Sequence, residues 1–148
     1  MRFLIQRVRE ASVNVNGCVI GRIEKGFLVL VGVNQTDTVR TAEKMVKKMI
    51  GLRIFEDENG KTNLDLHSVK GQLLIVSQFT LYADCRKGNR PSFIRAGEPQ
   101  KAKALYEYVI ELCQKEISVV QQGSFGADMK ISLVNDGPFT VILDSDEL

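Results

Sequence analysis

Two short segments carry polar groups where ordinary strands would carry aliphatic side chains. Residues 77–81 read Ser-Gln-Phe-Thr-Leu at the end of an apolar run, and residues 135–140 read Asn-Asp-Gly-Pro-Phe-Thr near the C-terminus. In the first segment, the backbone N–H groups of Phe79 and Thr80 can point at a developing oxyanion, while Gln78 and Thr80 add hydrogen bonds to a substrate or a water. A strand edge whose polar groups face water explains the same residues.

The second segment is dominated by the pair Gly137-Pro138. A Gly-Pro pair between two strands is most simply a turn. The bond before a proline also adopts the cis form at modest cost, and that form turns successive carbonyl groups in one direction. Two parallel carbonyls would make a rigid wall that excludes any substituent pointing at it. Both interpretations stay open at this level.

Two further segments each allow a functional and a structural interpretation. Residues 124–129 read Ser-Phe-Gly-Ala-Asp-Met, which predicts either an exposed Phe125 or a buried hairpin corner. The segment from Arg86 to Arg95 holds four cations within ten residues. Such a loop favours phosphate binding, and a solvated surface explains it equally well.

The common catalytic groupings are missing from the chain. The single histidine, His67, lies in a polar stretch and is interpreted as a surface or hydrogen-bonded residue. No Gly-x-Ser-x-Gly elbow, no zinc-like spacing of Cys and His, and no Gly-x-x-x-x-Gly-Lys loop occurs. We therefore expect no metal and no cofactor, and a catalysis that rests on oriented backbone groups, hydroxyls and the substrate itself.

Bulk properties indicate one globular domain that spans residues 1–148. Hydrophobic residues make up 44% of the chain and charged residues 26%, a balance typical of a folded soluble protein. The formal net charge of +2 excludes a strongly basic nucleic-acid coat but not a local basic patch. The chain has no secretory pattern, no apolar run near the ~18 residues of a membrane span, and three widely spaced cysteines. We expect a cytoplasmic protein without a membrane partner.

Strand patterns outnumber helix patterns, and no alternation of strand and helix runs along the chain. Asn16-Gly17 predicts a tight type I′ hairpin. One helix is expected from a cap at Thr36 or Thr38 to Gly51, and a second begins at Pro99. The predicted strands cover residues 3–8, 12–15, 18–23, 27–33, 52–55, 73–82, 118–121, 129–134 and 139–143. This pattern favours an α+β fold with largely antiparallel or mixed sheets.

Residues 77–81 and 135–140 together resemble the two signature motifs of the bacterial-type D-aminoacyl-tRNA deacylases, the D-Tyr-tRNA deacylase family. The first motif is intact, and the second has Phe139 where Val is usual. Residues 1–8, the glycine-rich segment 123–129 and the chain length also match. The resemblance implies a barrel-like core of mixed sheets with two main helices. It also implies a hydrolase that cleaves the ester between a D-amino acid and tRNA, in the quality control of translation.

The resemblance further implies a homodimer with its active site at the subunit interface. Gln78, Phe79 and Thr80 would be the catalytic residues around the scissile ester. The cis Gly137-Pro138 pair would reach into the partner's pocket as a chiral filter, and Arg7 would hold it. Phe125 and Met129 would lie near the terminal adenosine of the tRNA acceptor end or near the aminoacyl group. The substrate-binding residues implied are Arg7, Ser77, Phe125, Met129, Gly137 and Pro138.

Glycine has no side chain and should escape such a filter, so glycine mischarged on alanine tRNA is an expected second substrate. The main alternative is a non-catalytic tRNA-binding module related to editing domains, because a fold does not fix a function. A small-molecule esterase is the other alternative. The joint presence of two motifs argues against both.

Overall fold

The computed structural model describes all residues, 1–148. It contains a mixed set of strands with two α-helices and two short 3₁₀ helices. The strands are β1 Arg2–Val15, β2 Cys18–Ile23, β3 Gly26–Gly32, β4 Phe55–Glu56, β5 Thr62–Leu64, β6 Gln72–Ser77, β7 Val120–Gln122 and β8 Lys130–Asp144. The helices are α1 Val39–Ile50 and α2 Pro99–Glu116, and the 3₁₀ helices are Phe79–Tyr82 and Ser145–Glu147. The predicted α+β class is confirmed.

The main sheet has six strands and curls almost into a barrel. Its order is β2-β1-β3-β6-β7, and β8 pairs with the remaining edge of β1. The β3–β6 and β6–β7 pairs are parallel, and the pairs made by β1 are antiparallel. The ends of the path approach each other, since a Cβ on Gly21 of β2 would lie 3.1 Å from the carbonyl oxygen of Gln122 in β7. This arrangement confirms the mixed, barrel-like core.

The sheet buries apolar side chains on both faces. Phe27, Val29 and Val31 of β3 belong to a cluster of 25 buried residues that also contains the apolar stripes of α1 and α2. Leu28 points to the opposite face because side chains alternate along a strand, and it belongs to a second cluster of seven residues. The strand predicted over residues 27–33 is confirmed, and it is buried on both faces.

The local signals for turns and helix starts are confirmed. Asn16 and Gly17 both have positive φ, as a type I′ turn requires. Thr38 caps α1, and Thr38 and Thr41 exchange hydrogen bonds in a capping box. Pro99 is the first residue of α2. No helix of the structure has the length and apolarity that crossing a bilayer would require.

Several strand boundaries differ from the sequence expectation. Residues 3–8 and 12–15 are parts of one strand, β1, which pairs with β3 along its first half and with β2 along its second. The strand expected over residues 52–55 is reduced to a two-residue strand that begins at Phe55. The segment 73–82 is a strand only as far as Ser77, because its partner β3 ends one residue after the last pair, Val31 with Ser77.

The C-terminal segment is one long strand rather than two strands joined by a turn. Asn135 pairs with Val8 and Thr140 pairs with Gln6, so both halves of β8 follow the same neighbour, β1. The four residues 136–139 therefore stand opposite one residue, Arg7, and must bulge out of the ladder. We call residues 136–139 the β8 bulge. The interpretation of Gly137-Pro138 as a chain-reversing turn is wrong.

Candidate active site

A pocket of about 520 Å³ opens at the end of β6 and contains most of the residues singled out by the first motif. Its walls come from residues 76–79, from the 96–102 segment at the start of α2, and from residues 125–131. A cavity of about 600 Å³ beside α1 is larger, but no hydrophobic residue and none of the predicted site residues line it. The pocket at β6 is therefore the candidate site, because it joins apolar walls with convergent polar groups.

The backbone changes direction where residues 76–79 line this pocket. After Ser77 the chain leaves the sheet, and Phe79 begins a 3₁₀ helix. The first N–H groups of a helix have no partner within it. Neither the backbone N–H of Phe79 nor that of Thr80 donates a hydrogen bond within the chain. These two adjacent N–H groups are thus free donors for an oxygen atom that carries negative charge.

The side chains beside these donors form a small polar group. Gln78 Nε2 donates to Thr80 Oγ1 at 2.5 Å. Because the Thr80 oxygen accepts this bond, its own hydrogen is free to donate elsewhere. Ser77 and Gln78 are half-buried, whereas Phe79 and Thr80 are exposed. Ser77, Gln78 and Phe79 line the pocket, and Thr80 lies directly beside it in the chain.

Phe125 and Met129 stand on another wall of the same pocket. The ring of Phe125 packs against Tyr106, with 5.8 Å between ring centroids. Tyr106 is fixed in turn, because its hydroxyl donates to the carbonyl of Ile75 at 2.8 Å. Burial raises the pKa of the Tyr106 hydroxyl, so this donor keeps its proton. Phe125 is therefore half-buried on a rigid support rather than fully exposed or in a buried corner.

The second motif forms a different structure, in which Arg7 is the central side chain. Arg7 is buried, and it donates from Nε to the carbonyl of Asp136 at 2.8 Å and from Nη1 to the carbonyl of Ile54 at 2.6 Å. Its guanidinium carbon lies 4.7 Å from the centroid of the Phe139 ring. The Phe139 ring thus packs on the cation that holds the bulge.

Asn135 is a structural residue of the site that the sequence did not single out. Its Oδ1 accepts from the backbone N–H of Phe139 at 2.7 Å, and its Nδ2 donates to the carbonyl of the same residue at 3.1 Å. Its Nδ2 also donates to Gln6 Oε1 at 2.8 Å. The side chain therefore closes the base of the β8 bulge. Its position as first residue of the second motif was the available signal.

Gly137 occupies a position that other residues cannot easily take. Its φ is +150°, and an added Cβ would lie 2.8 Å from the backbone nitrogen of Phe139. The peptide bond that joins it to Pro138 is cis. Both Gly137 and Pro138 are exposed at the tip of the bulge.

The single chain does not unite the two motifs. Arg7, Gly137 and Pro138 line no part of the pocket, and no hydrogen bond connects the β8 bulge with residues 77–80. The chain therefore contains two separate regions. One is the pocket with its free donors, and the other is the rigid, exposed bulge.

His67 lies far from the pocket. Its Nε2 is 4.0 Å from a carboxylate oxygen of Glu116 at the last residue of α2, whereas Pro99 at the first residue of α2 lines the pocket. Because α2 has 18 residues, its two ends lie about 25 Å apart. The interpretation of His67 as a surface residue agrees with its half-exposed side chain. No three His, Cys, Asp or Glu side chains gather as a metal ion would require.

Comparisons with known proteins agree on the class of protein that this fold and pocket define. The family model described as D-Tyr-tRNA(Tyr) deacylase matches residues 4–144. The D-aminoacyl-tRNA deacylase of Clostridium novyi (strain NT) is 57% identical over 145 residues, which cover 98% of this chain and 97% of the relative. The D-aminoacyl-tRNA deacylase of Thermosipho melanesiensis is 56% identical over 146 residues, with the same coverage.

Solved structures share the fold over nearly the whole chain. The structure named c-Myc DNA Unwinding Element Binding Protein superposes with a TM-score of 0.92 at 39% identity, covering 97% of this chain and 98% of that one. A probable eukaryotic D-amino acid tRNA deacylase superposes with a TM-score of 0.84 at 18% identity, covering 96% and 97%, and supports the fold alone. The chain belongs to the D-Tyr-tRNA(Tyr) deacylase family.

Proposed function

We propose that this chain is a hydrolase that cleaves the ester between a D-amino acid and the terminal adenosine of tRNA. The observation that carries the proposal is the pair of free backbone N–H donors at Phe79, which lines a pocket that fits a small ligand, and at the adjacent Thr80. Membership of the deacylase family and relatives named D-aminoacyl-tRNA deacylase support the same reaction.

The proposed chemistry is direct attack by water. The water oxygen bonds to the ester carbonyl carbon, and the carbonyl oxygen becomes an anion that accepts hydrogen bonds from the N–H groups of Phe79 and Thr80. The bond from that carbon to the ribose oxygen then breaks. The ribose oxygen receives the proton that the water has lost, and a free D-amino acid and tRNA leave the pocket.

The side chains offer no activated nucleophile. Thr80 Oγ1 accepts a hydrogen bond from an uncharged amide and has no histidine, lysine or carboxylate partner among its hydrogen bonds. A threonine hydroxyl without a base is a poor nucleophile. Thr80 and Gln78 are therefore assigned to positioning the water or the ester, with the neighbouring ribose hydroxyl of the substrate helping to orient the water.

The separation of the pocket from the β8 bulge leads us to propose a homodimer. Leu4 and Ile142 are paired neighbours on β1 and β8, and with Leu81 they line an open depression. Ile142 is 66% exposed. Burying these three apolar side chains against a second copy is favourable, and β8 leads from Ile142 to the bulge. In such a dimer, Gly137 and Pro138 of each copy would reach the pocket of the other.

The β8 bulge suits the role of a chiral filter. Its tip presents Gly137 and Pro138, so the surface offered to a ligand is mostly backbone, and Arg7 and Asn135 hold that backbone in place. A rigid main-chain wall excludes an L side chain of any kind and leaves a D side chain free. Glycine passes such a wall, so glycine mischarged on alanine tRNA is proposed as a second substrate.

The remaining residues fit the substrate's outer parts. Phe125 and Met129 offer an aromatic and a polarisable surface to the terminal adenosine or to the aminoacyl group. All of residues 1–148 act as one domain in this proposal, with no cofactor. We also propose a cytoplasmic location, because aminoacyl-tRNA is made there.

A non-catalytic nucleic-acid-binding module is the second candidate. The observation that favours it is the 39% identical structure whose name describes a protein that binds a DNA unwinding element. The same pocket and exposed aromatics would then bind a nucleic-acid end without cleaving it.

Paired deacylation assays test these proposals. Equal amounts of enzyme are incubated with one of three substrates, and the remaining ester is measured over time. The substrates are D-Tyr-tRNA, L-Tyr-tRNA and alanine tRNA that carries glycine. We expect fast loss of the D and glycyl esters and no loss of the L ester. Stable D ester with retained tRNA binding would favour the binding module. Equal loss of D and L esters would refute the filter, and turnover of simple D-amino acid esters at the same rate would favour a small-molecule esterase.

A further inference from the structure

The loop between the first 3₁₀ helix and α2 takes no part in the proposed chemistry, yet it is strongly positively charged. Residues 85–95 contain four Lys or Arg residues and no Asp or Glu. The whole chain, by contrast, has a formal net charge of only +2. We call residues 85–95 the basic loop.

The basic loop is anchored at both of its ends. Asp84 and Ser92 exchange two backbone hydrogen bonds, of 2.8 and 3.0 Å, which close the tip of the loop. Gly97 donates to the carbonyl of Val33 at 2.8 Å, and Gln35 Nε2 donates to the carbonyl of Ile94 at 2.5 Å. The cations are therefore presented by a defined loop that is tied to the sheet.

Three of the four cations have no acidic partner. Arg86 donates to both oxygens of Asp84, and this contact lowers the pKa of the Asp84 carboxyl. Lys87, Arg90 and Arg95 form no ion pair with any carboxylate of the chain. Unpaired cations close together repel one another and are stabilised by an anion that bridges them.

The same loop presents exposed apolar side chains beside the pocket. The Phe93 ring packs edge to face on Phe79, with 5.0 Å between ring centroids. Phe93 is 38% exposed and Ile94 is 79% exposed. Because Phe79 lines the pocket, the aromatic surface is continuous from the pocket wall to the basic loop.

We propose that the basic loop and Phe93 bind the single-stranded 3′ end of the tRNA, immediately before the nucleotide that enters the pocket. Exposed aromatic rings and unpaired cations side by side are the combination that binds single-stranded nucleic acid, since bases stack on rings and phosphates face cations. In this arrangement a base stacks on Phe93, and Lys87 and Arg90 face the phosphates. The inference rests on the proposed function for the identity of the RNA.

Binding of uncharged tRNA, measured by fluorescence anisotropy at several salt concentrations, tests the two parts separately. For the Lys87→Ala/Arg90→Ala double variant we expect weaker binding, with the slope of log affinity against log salt reduced by about 1.4 (~0.7 for each phosphate that no longer faces a cation). For Phe93→Leu, which keeps an apolar contact but removes the ring, we expect roughly 5- to 100-fold weaker binding at an unchanged slope. Lys48→Ala on α1 is the matched control, because it removes an exposed cation outside the pocket and the loop.

Steady-state deacylation of D-Tyr-tRNA separates this inference from the proposed function. We expect the loop variants to raise KM with kcat unchanged, because the loop touches no reacting atom. An inactive wild-type enzyme would refute the proposed function, whereas the binding assay would still decide the role of the loop. Wild-type affinity and salt slope in the Lys87→Ala/Arg90→Ala variant would overturn the inference. Loss of the dimer in Phe93→Leu, measured by sedimentation velocity, would also overturn it and assign the ring to a subunit contact.

Discussion

The two motif regions differ in how their backbone groups are bonded. At residues 77–80 the backbone leaves a sheet with two N–H groups unpaired, and residues 77–79 line a pocket. At the β8 bulge, Arg7 and Asn135 make several hydrogen bonds to the backbone, and only the tip remains exposed. The first region supplies donors that a reaction can use. The second supplies a fixed shape.

This difference is the reason for proposing that the active site combines both regions. Free donors in an open pocket stabilise an oxyanion but do not distinguish mirror-image substrates. A rigid backbone surface distinguishes shapes but offers no donor aimed at an ester. The chain keeps the two regions apart, so the proposed enzyme requires a second copy to combine them.

The largest effect is expected from removing one free donor of the pocket. Phe79→Pro deletes the N–H of residue 79 at the first position of a 3₁₀ helix, where proline is tolerated and where the N–H has no internal partner. We expect kcat for D-Tyr-tRNA to fall about 10²- to 10³-fold, as for the loss of one oxyanion donor. Phe79→Leu keeps the N–H and is the matched control. Equal losses in both variants would show that the side chain matters and the donor does not.

The next largest effect is expected at the centre of the rigid region. Arg7→Ala leaves the carbonyls of Asp136 and Ile54 without their donor and removes the cation beside Phe139. We expect a loss of about 2–4 kcal/mol in the free energy of unfolding, measured with urea. We also expect the variant to begin to hydrolyse L-Tyr-tRNA.

Arg9→Ala is the control for Arg7→Ala, because Arg9 also contacts Asp136 but is exposed. We expect its free energy of unfolding to change by less than about 0.5 kcal/mol. If the two arginine variants lost the same stability and kept the same discrimination, the bulge would not depend on the buried guanidinium.

A smaller effect is expected from Gly137→Ala at the tip of the bulge. The added methyl group would lie 2.8 Å from a backbone nitrogen, so the tip must shift. We expect roughly tenfold slower deacylation of D-Tyr-tRNA, the size of effect that a small misplacement of a positioning group produces, in a protein that stays folded. Gly60→Ala provides the control, since Gly60 also has positive φ but an added Cβ would contact nothing. Normal turnover by Gly137→Ala would mean that the bulge is only structural.

The smallest effect is expected from Thr80→Ala. The substitution removes the hydroxyl that accepts from Gln78 but keeps the backbone N–H. We expect kcat to fall less than about tenfold, because the oxyanion donors remain. A folded but inactive Thr80→Ala variant would assign the hydroxyl to nucleophilic attack or proton transfer, and single-turnover kinetics with D-Tyr-tRNA measures this directly.

Features fixed by neighbouring residues could be predicted from the sequence, and features fixed by distant partners could not. The Asn16-Gly17 hairpin and the start of α2 at Pro99 depend on local backbone preferences. The β8 bulge depends on its contact with Arg7, which lies 129 positions before Asp136 in the chain. A Gly-Pro pair considered without that distant contact resembles a turn. The pocket wall at the start of α2 also escaped prediction, because only the fold brings it to β6. For the candidate site, the residues followed from the family resemblance, whereas their chemistry followed from the backbone.

The most direct test of the central claim is activity in mixed dimers. Phe79→Pro and Gly137→Ala subunits are denatured, mixed in equal amounts and refolded together, and D-Tyr-tRNA deacylation is compared with that of each variant alone. If each site combines the pocket of one copy with the bulge of the other, half of the dimers are mixed and one of their two sites is intact. The mixture should then recover about a quarter of wild-type activity. Activity no higher than the average of the two variants would contradict a site shared between subunits.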